Sequence, residues 1–260
     1  METSPPVQHH EGVSVKVHGL RKSFQGHEVL KGVDFEVSPG EIFVVMGPSG
    51  SGKSVLLKHV IGLETPDAGE ILIDGKSIYS PEVTENYRLA MVFQSGALLN
   101  SLTVDENVGL YLTEHRLKPP KEIERIVREK LELVGLKDQE DKLPSELSGG
   151  MKKRVAIARA LVIEPQLILY DEPTSELDPM SAVIIGEEIL NLKREIHVTS
   201  IVVSHDRDLA FGIADRIAVI NDGRIVAVGT PDEVKRNPDP IVRKFLSADF
   251  KIAKTTHSNL

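Results

Sequence analysis

The chain reads as an α/β protein built around one strand, glycine turn and helix unit, and three observations carry that reading. The apolar run IFVVM at 42–46 leads directly into Gly47-Pro48-Ser49-Gly50-Ser51-Gly52-Lys53-Ser54 and then into the helical stretch SVLLKHVIGL. Further short apolar runs (LAMVF, LILYD, SIVVSHD, RIAVIND) recur between helical patterns, the arrangement of a largely buried sheet covered by helices. The chain has 260 residues and no cysteine, so a core of ordinary size must hold it together without disulfides or thiolate metal sites.

Taken in order, METSPPVQHHEG (1–12) has neither an apolar signal core nor a basic start and is expected to be a disordered lead. VSVKV, then EVLKGVDFEV after the Gln25-Gly26 turn, predict small antiparallel strands ahead of the buried run 42–46. ILID and LAMVF predict two more strands. From Gln94 to Leu147 strand signals vanish. KEIERIVREKLELV (121–134) places Ile123, Ile126, Val127, Leu131 and Val134 on one helical face, with Glu124–Arg128 and Arg128–Glu132 expected as i,i+4 pairs on the other. A helical subdomain over about 95–160, inserted in an α/β domain of 13–248, is the predicted organisation. A polar tail, 249–260, is expected to be flexible.

Acidic residues outnumber basic ones, 31 − 39 = −8, which argues against a nucleic-acid binder and against electrostatic adhesion to anionic lipid. No apolar run is long enough to span a bilayer, so a cytoplasmic protein is expected.

The stretch Gly47–Ser54 fits G-x-x-x-x-G-K-[ST], with a strand before it and a helix after it. Glycines let the backbone wrap with its N–H groups inward, and the helix start adds its positive dipole end, so the loop suits nucleotide phosphates. Lys53 then supplies charge to the β- and γ-phosphates, and the Ser54 hydroxyl ligates Mg²⁺. Such a loop needs a carboxylate at the end of a neighbouring buried strand, and LILYD ends on Asp171. Glu172, one residue on, is the candidate general base for an attacking water. Ser148-Gly149-Gly150, opening the helix MKKRVAIARALV, makes a second anion site. Alone it would be an ordinary helix cap. Two anion sites for one nucleotide make sense if the second serves a partner chain.

The order of phosphate loop, Gln94, LSGGM, LILYDE, SELD and His205 resembles the ATP-binding cassette (ABC) family over residues of about 13 to 248. The resemblance implies an ABC-type P-loop nucleotide-binding domain with an antiparallel β subdomain and an inserted helical subdomain. It implies ATP and Mg²⁺ as ligands, and a head-to-tail homodimer in which Ser148, Gly149 and Gly150 of one chain close on the other chain's phosphate loop. Phe24 falls where the family stacks an aromatic on adenine. Gln94 falls where a glutamine senses Mg²⁺ and the water and links to a permease, and His205 where a switch histidine meets the γ-phosphate. Ser175 and Asp178 fall at the dimer interface. Two positions depart from the pattern: Met151 stands where the family usually has Gln, and Glu176 where it usually has a small residue.

FQSGALL (93–99), SLTVDENV, PSELSGGM and NPDPIVRKFL further resemble the Mla/Mce-type lipid transport ATPases. That resemblance implies phospholipid transport, an integral MlaE-like permease and an MCE substrate-binding protein beyond it. A STAS-domain regulator and a peripheral place on the cytoplasmic face of the inner membrane follow from the same likeness. An importer cassette for amino acids or organic solvents is the alternative within transport. Non-transport ABC ATPases carry long coiled-coil insertions or a second cassette, and neither is present here. A catalytically dead module is disfavoured by intact Lys53, Asp171, Glu172 and His205.

Overall fold

The computed structural model describes residues 12–247; the expected lead, apart from Gly12, and the tail 249–260 lie outside the described residues. Two sheets organise the chain. The first is antiparallel, in the order β2-β1-β4-β5, with β1 Val15–Phe24, β2 His27–Val37, β4 Ala68–Ile73 and the short β5 Lys76–Ser77. Gln25 and Gly26 both adopt positive φ (48° and 81°), the backbone of a two-residue hairpin turn whose twist matches its strands.

The second sheet has the order β10-β9-β3-β8-β7-β6: β3 Ile42–Met46, β6 Leu89–Val92, β7 Leu167–Asp171, β8 Thr199–Ser204, β9 Arg216–Asn221 and β10 Arg224–Gly229. All neighbours are parallel except the β9–β10 hairpin. Every residue of β3, β7 and β8 is buried, which is why the stretches IFVVM, LILY and IVV within them read as unbroken apolar runs rather than as alternations. Successive side chains still point to opposite faces. Phe43, Val45, Leu169 and Val203 pack toward the antiparallel sheet and α1 (Lys53–Val60). Val44, Met46, Ile168 and Val202 pack toward the remaining helices.

The segment expected to be helical contains α3 Val104–Glu114, α4 Pro120–Leu133 and α5 Gly149–Leu161, which pack on one another. The predicted apolar face of α4 is turned inward, with Val127, Leu131 and Val134 buried. The predicted charge pairs are not formed. Arg125 bonds Glu129 at 3.1 Å, and Arg128 reaches off the helix to Glu140 at 3.9 Å. The reason is tertiary, since an acidic residue of the following loop offers Arg128 a partner that helix spacing cannot reveal. Val104, Val108, Val127 and Leu131 belong to the same core as β3, β7 and β8, so the helices continue the main core.

Five α-helices remain among the described residues: α2 Pro81–Asn86, α6 Pro179–Ile196, α7 Arg207–Ile213, α8 Pro231–Arg236 and, beside α8, α9 Pro240–Leu246. Short α2 and β5 carry no sequence signal strong enough to predict them. Among the described residues no helix is long and apolar enough to cross a membrane.

Candidate nucleotide site

The topology gathers the predicted residues at one end of the parallel sheet. Residues 47–54 leave β3, Asp171 ends β7 with Glu172 next to it, and His205 follows β8, the central strands being paired β3–β8–β7. Ligands of open α/β sheets bind beyond the carboxyl ends of such strands.

The loop's shape depends on two glycines. A Cβ on Gly47 would strike the main-chain oxygen of Ile220, and Gly52, at φ 99°, has Leu30 and Val29 of β2 against it. Lys53 is buried, and its ammonium donates to Gly47 O at 2.9 Å and Pro48 O at 3.2 Å. It also pairs with Glu172 Oε1 at 3.2 Å. These carbonyl and carboxylate oxygens are the same kind of partner that a phosphate offers. Ser51 Oγ is buried with no hydrogen-bond partner, a donor inside the loop that a phosphate oxygen would satisfy.

Ser54 Oγ donates to Asp171 Oδ1 at 2.8 Å. Burial raises the Asp171 carboxyl above its usual range, the Ser54 hydroxyl pulls it back, and neighbouring Glu172 pushes it up again. A cation would relieve this stress. Hydroxyl and carboxylate are hard oxygen donors, and among the described residues no group of three His, Cys, Asp or Glu could hold a metal. An ion at Ser54 and Asp171 would complete its shell with oxygens from phosphate, water or a side-chain amide, which is the habit of Mg²⁺. The residues present fit that ion.

Glu172 leaves its strand at φ 47°, a left-handed conformation costly for a side chain of this size, with its N–H bonded to Val203 O at 2.9 Å. The twist turns its carboxylate to face both Lys53 and His205. His205 donates from its main-chain N–H to Glu172 Oε2 at 3.1 Å, and its Nδ1 lies 2.8 Å from the same oxygen. Thr174 Oγ1 donates to Asp206 Oδ2 at 3.0 Å, tying the turn after β7 to the start of α7 and so fixing His205 opposite Glu172. Motif reading missed Thr174 and Asp206 because their pairing spans two separate loops.

Other predicted residues lie apart from this cluster. Gln94 is exposed, two residues past Val92, whose partner in β7 is Tyr170, so it leaves a neighbouring strand end. Phe24 is exposed at the end of β1, with Lys22 Nζ 5.2 Å from its ring centre. Ser148 is exposed and caps α5 by accepting from Met151 N at 3.2 Å. Among the described residues no hydrogen bond or ion pair joins Ser148, Gly149 or Gly150 to residues 47–54 of the same chain.

The turn after β7 explains the Glu176 departure. Glu176 is exposed at φ 65°, a conformation that favours glycine, so the usual small residue answers a backbone demand. Glu176→Gly is expected to leave ATP turnover within about fivefold of wild type, since it removes one solvated charge. Asp178→Ala is expected to cost more. Asp178 Oδ1 accepts from Met180 N and Ser181 N, both at 3.0 Å, and so caps α6. The Ser181 hydroxyl, then the backbone N–H groups, hold its carboxyl below the usual range. A depressed carboxyl stabilises above its unfolded value and loses that contribution as pH falls through the folded one. Steady-state ATPase rates of both variants, and thermal melts of Asp178→Ala between neutral and acidic pH, check these statements.

Comparison with known proteins places this geometry in a family. The ABC transporter family model matches residues 30–175. The probable ribonucleotide transport ATP-binding protein mkl of Mycobacterium leprae is 40% identical over 240 residues, covering 91% of this chain and 69% of that protein. The chloroplastic protein TRIGALACTOSYLDIACYLGLYCEROL 3 of Arabidopsis thaliana is 40% identical over 267 residues, covering 94% of this chain and 76% of that one. The sulfate/thiosulfate import ATP-binding protein CysA of Nitrosomonas europaea is 39% identical over 238 residues, covering 90% and 66%. Among solved structures, CbiO1 of Clostridium perfringens, part of the ABC transporter complex CbiONQ, has TM-score 0.78 at 33% identity, covering 90% of this chain and 95% of that one. The ATP-binding cassette MJ0796, a dimer in a post-hydrolysis state bound to ADP and Pi, has TM-score 0.75 at 33% identity, covering 84% and 98%. Strand ends, phosphate loop and acid pair therefore agree with sequence kinship, and the chain belongs to the ABC transporter family as an ATP-binding, ATP-hydrolysing subunit that works with Mg²⁺.

Proposed function

We propose that two copies of this chain, joined head to tail, drive lipid transport through an MlaE-like permease at the cytoplasmic face of an inner membrane. Within each site Lys53 and the loop N–H groups hold the phosphates, and Ser54 with Asp171 hold Mg²⁺, which when bound neutralises charge on the phosphate oxygens. Gln94 lies on the loop past β6, from which it reaches the metal and the permease. Glu172 accepts the proton of the attacking water, oriented by His205 on one carboxylate oxygen. Lys53, on the other oxygen, moves to the phosphates as they bind. Phe24 offers an exposed ring for adenine. Ser148, Gly149 and Gly150 serve the partner chain's nucleotide, for which the exposure of Ser148 and Gly149 suits them.

The lipid assignment is carried by the Mla/Mce-like segments 93–99 and 237–246. The first is an exposed loop that presents Phe93 and Leu99 to solvent, and the second forms α9 behind its Asp239 cap. The relative from Arabidopsis, whose name contains a galactosylated diacylglycerol, supports the same class. Identity of 39% to a sulfate/thiosulfate importer keeps a polar-substrate transporter as the competing reading.

Affinity purification of the tagged chain from its native membranes tests this. The expected result is co-purification with an MlaE-like permease carrying bound lipid, seen by mass spectrometry, with the isolated chain turning over ATP slowly. Capture of a permease for a polar solute would overturn the lipid assignment and leave the ATPase assignment intact.

A further inference from the structure

Lys153 lies in the second turn of α5 and is 6% exposed. Its ammonium donates to the main-chain oxygen of Gln94 and to Ser175 Oγ at 3.3 Å. Burial works against its charge, and the nearby carboxylates of Glu176, Asp171 and Glu172 favour it. Further along the same helix, Arg159 donates to Ala97 O and Gly96 O, both at 2.8 Å. Gly96 and Ala97 sit at positive φ (73° and 47°), and this bend gives the loop past β6 the shape in which its carbonyls meet α5. The loop is thus held to the helix by two cations, and one of them, Lys153, continues to the turn past β7. Ser175 in turn donates its N–H to Glu172 O at 3.1 Å. An unbroken line of hydrogen bonds therefore runs from Gln94 through Lys153 and Ser175 to the backbone of Glu172.

From this line we infer that Lys153 is a positioning residue of the ATPase cycle, holding α5, and with it Ser148, Gly149 and Gly150, at a set angle to Glu172. A buried cation is costly unless its partners are in place, and an apolar side chain of similar length would fill the space with less penalty. Retaining an ammonium between three segments makes their relative placement depend on its bonds. Any rotation of the helical subdomain on the core must carry the loop of Gln94 along or break the contact to Ser175. The inference concerns the ATPase cycle alone and stands whichever substrate the permease carries.

The test uses the full chain in its transporter, with Lys153→Met, Lys153→Arg and Ser175→Ala made singly and Lys153→Met combined with Ser175→Ala. Lys153→Met is expected to lower kcat for ATP roughly tenfold, with KM and the affinity of a fluorescent ATP analogue within about twofold. Lys153→Arg, which keeps charge and donors, should recover kcat to within about threefold of wild type. Ser175→Ala should lower kcat by itself and add little in the double variant, because both changes cut one line. Wild-type kcat in Lys153→Met overturns the inference. So does a loss without rescue by Arg that tracks a lowered melting temperature and a raised KM, or two losses that simply multiply. Should Lys153→Met fail to fold, Ser175→Ala decides, and wild-type kcat there overturns it.

Discussion

Glu172→Gln is expected to reduce steady-state ATP hydrolysis by about a hundredfold or more, the scale on which a positioned general base contributes. Glu172 is buried, one oxygen facing Lys53 at 3.2 Å and the other facing His205 at 2.8 Å. A glutamine of the same shape retains an acceptor but cannot take a proton at neutral pH. The phosphate-binding charge of Lys53 and the metal ligands Ser54 and Asp171 are untouched, so ATP still binds. The variant should therefore accumulate with unhydrolysed ATP as a closed dimer, visible by size-exclusion chromatography with Mg·ATP. Phosphate release near the wild-type rate would remove Glu172 from the role of base. Left-handed backbone at Glu172 adds a second expectation. The side chain is held in place by its turn, so Glu172→Asp, one methylene shorter, should also be strongly impaired.

The second large effect concerns mixed dimers. A Lys53→Ala chain and a Ser148→Arg chain should each form homodimers with no intact site and negligible turnover. Combined, they leave one site with Lys53 of one chain and Ser148 of the other, both native, while the opposite site is doubly damaged. Recovery of part of the ATPase activity in the purified heterodimer is the expected result. Its physical basis is the isolation of Ser148 from residues 47–54 within the chain, together with its exposure at the start of α5. Arginine at 148 would put bulk and an unneeded charge where the partner's phosphates must approach. Full activity in the Ser148→Arg homodimer would sink the shared-site reading.

Local spacing in the sequence determined the α/β class, the loop Gly47–Ser54 and the acid pair Asp171 and Glu172, because each rests on neighbours along the chain. A fully buried strand needs a continuous apolar run, a phosphate loop needs its glycines in order, and an apolar α4 face needs period 3.6. These constraints are written locally, and β3, β7, the loop and the α4 face lie where they were read. The lipid assignment, by contrast, rests on resemblance at segments 93–99 and 237–246 rather than on any physical demand of the residues themselves.

Only the tertiary structure decided which long-range partners those residues take. Arg128 abandons its helix neighbours for Glu140, Thr174 reaches Asp206, and Ser54 meets Asp171 across the sheet. Nothing in the stretch MKKRVAIARALV singles out Lys153, yet its ammonium is buried between Gln94 and Ser175. Glu176 read only as a departure from the small residue the family usually has, and its positive φ explains why such a residue suits the turn. Strand order brings residues more than a hundred positions apart to adjacent strand ends, and polar partners are then chosen by proximity there. Sequence spacing sets what a segment can form, and the folded core sets what its polar groups can reach.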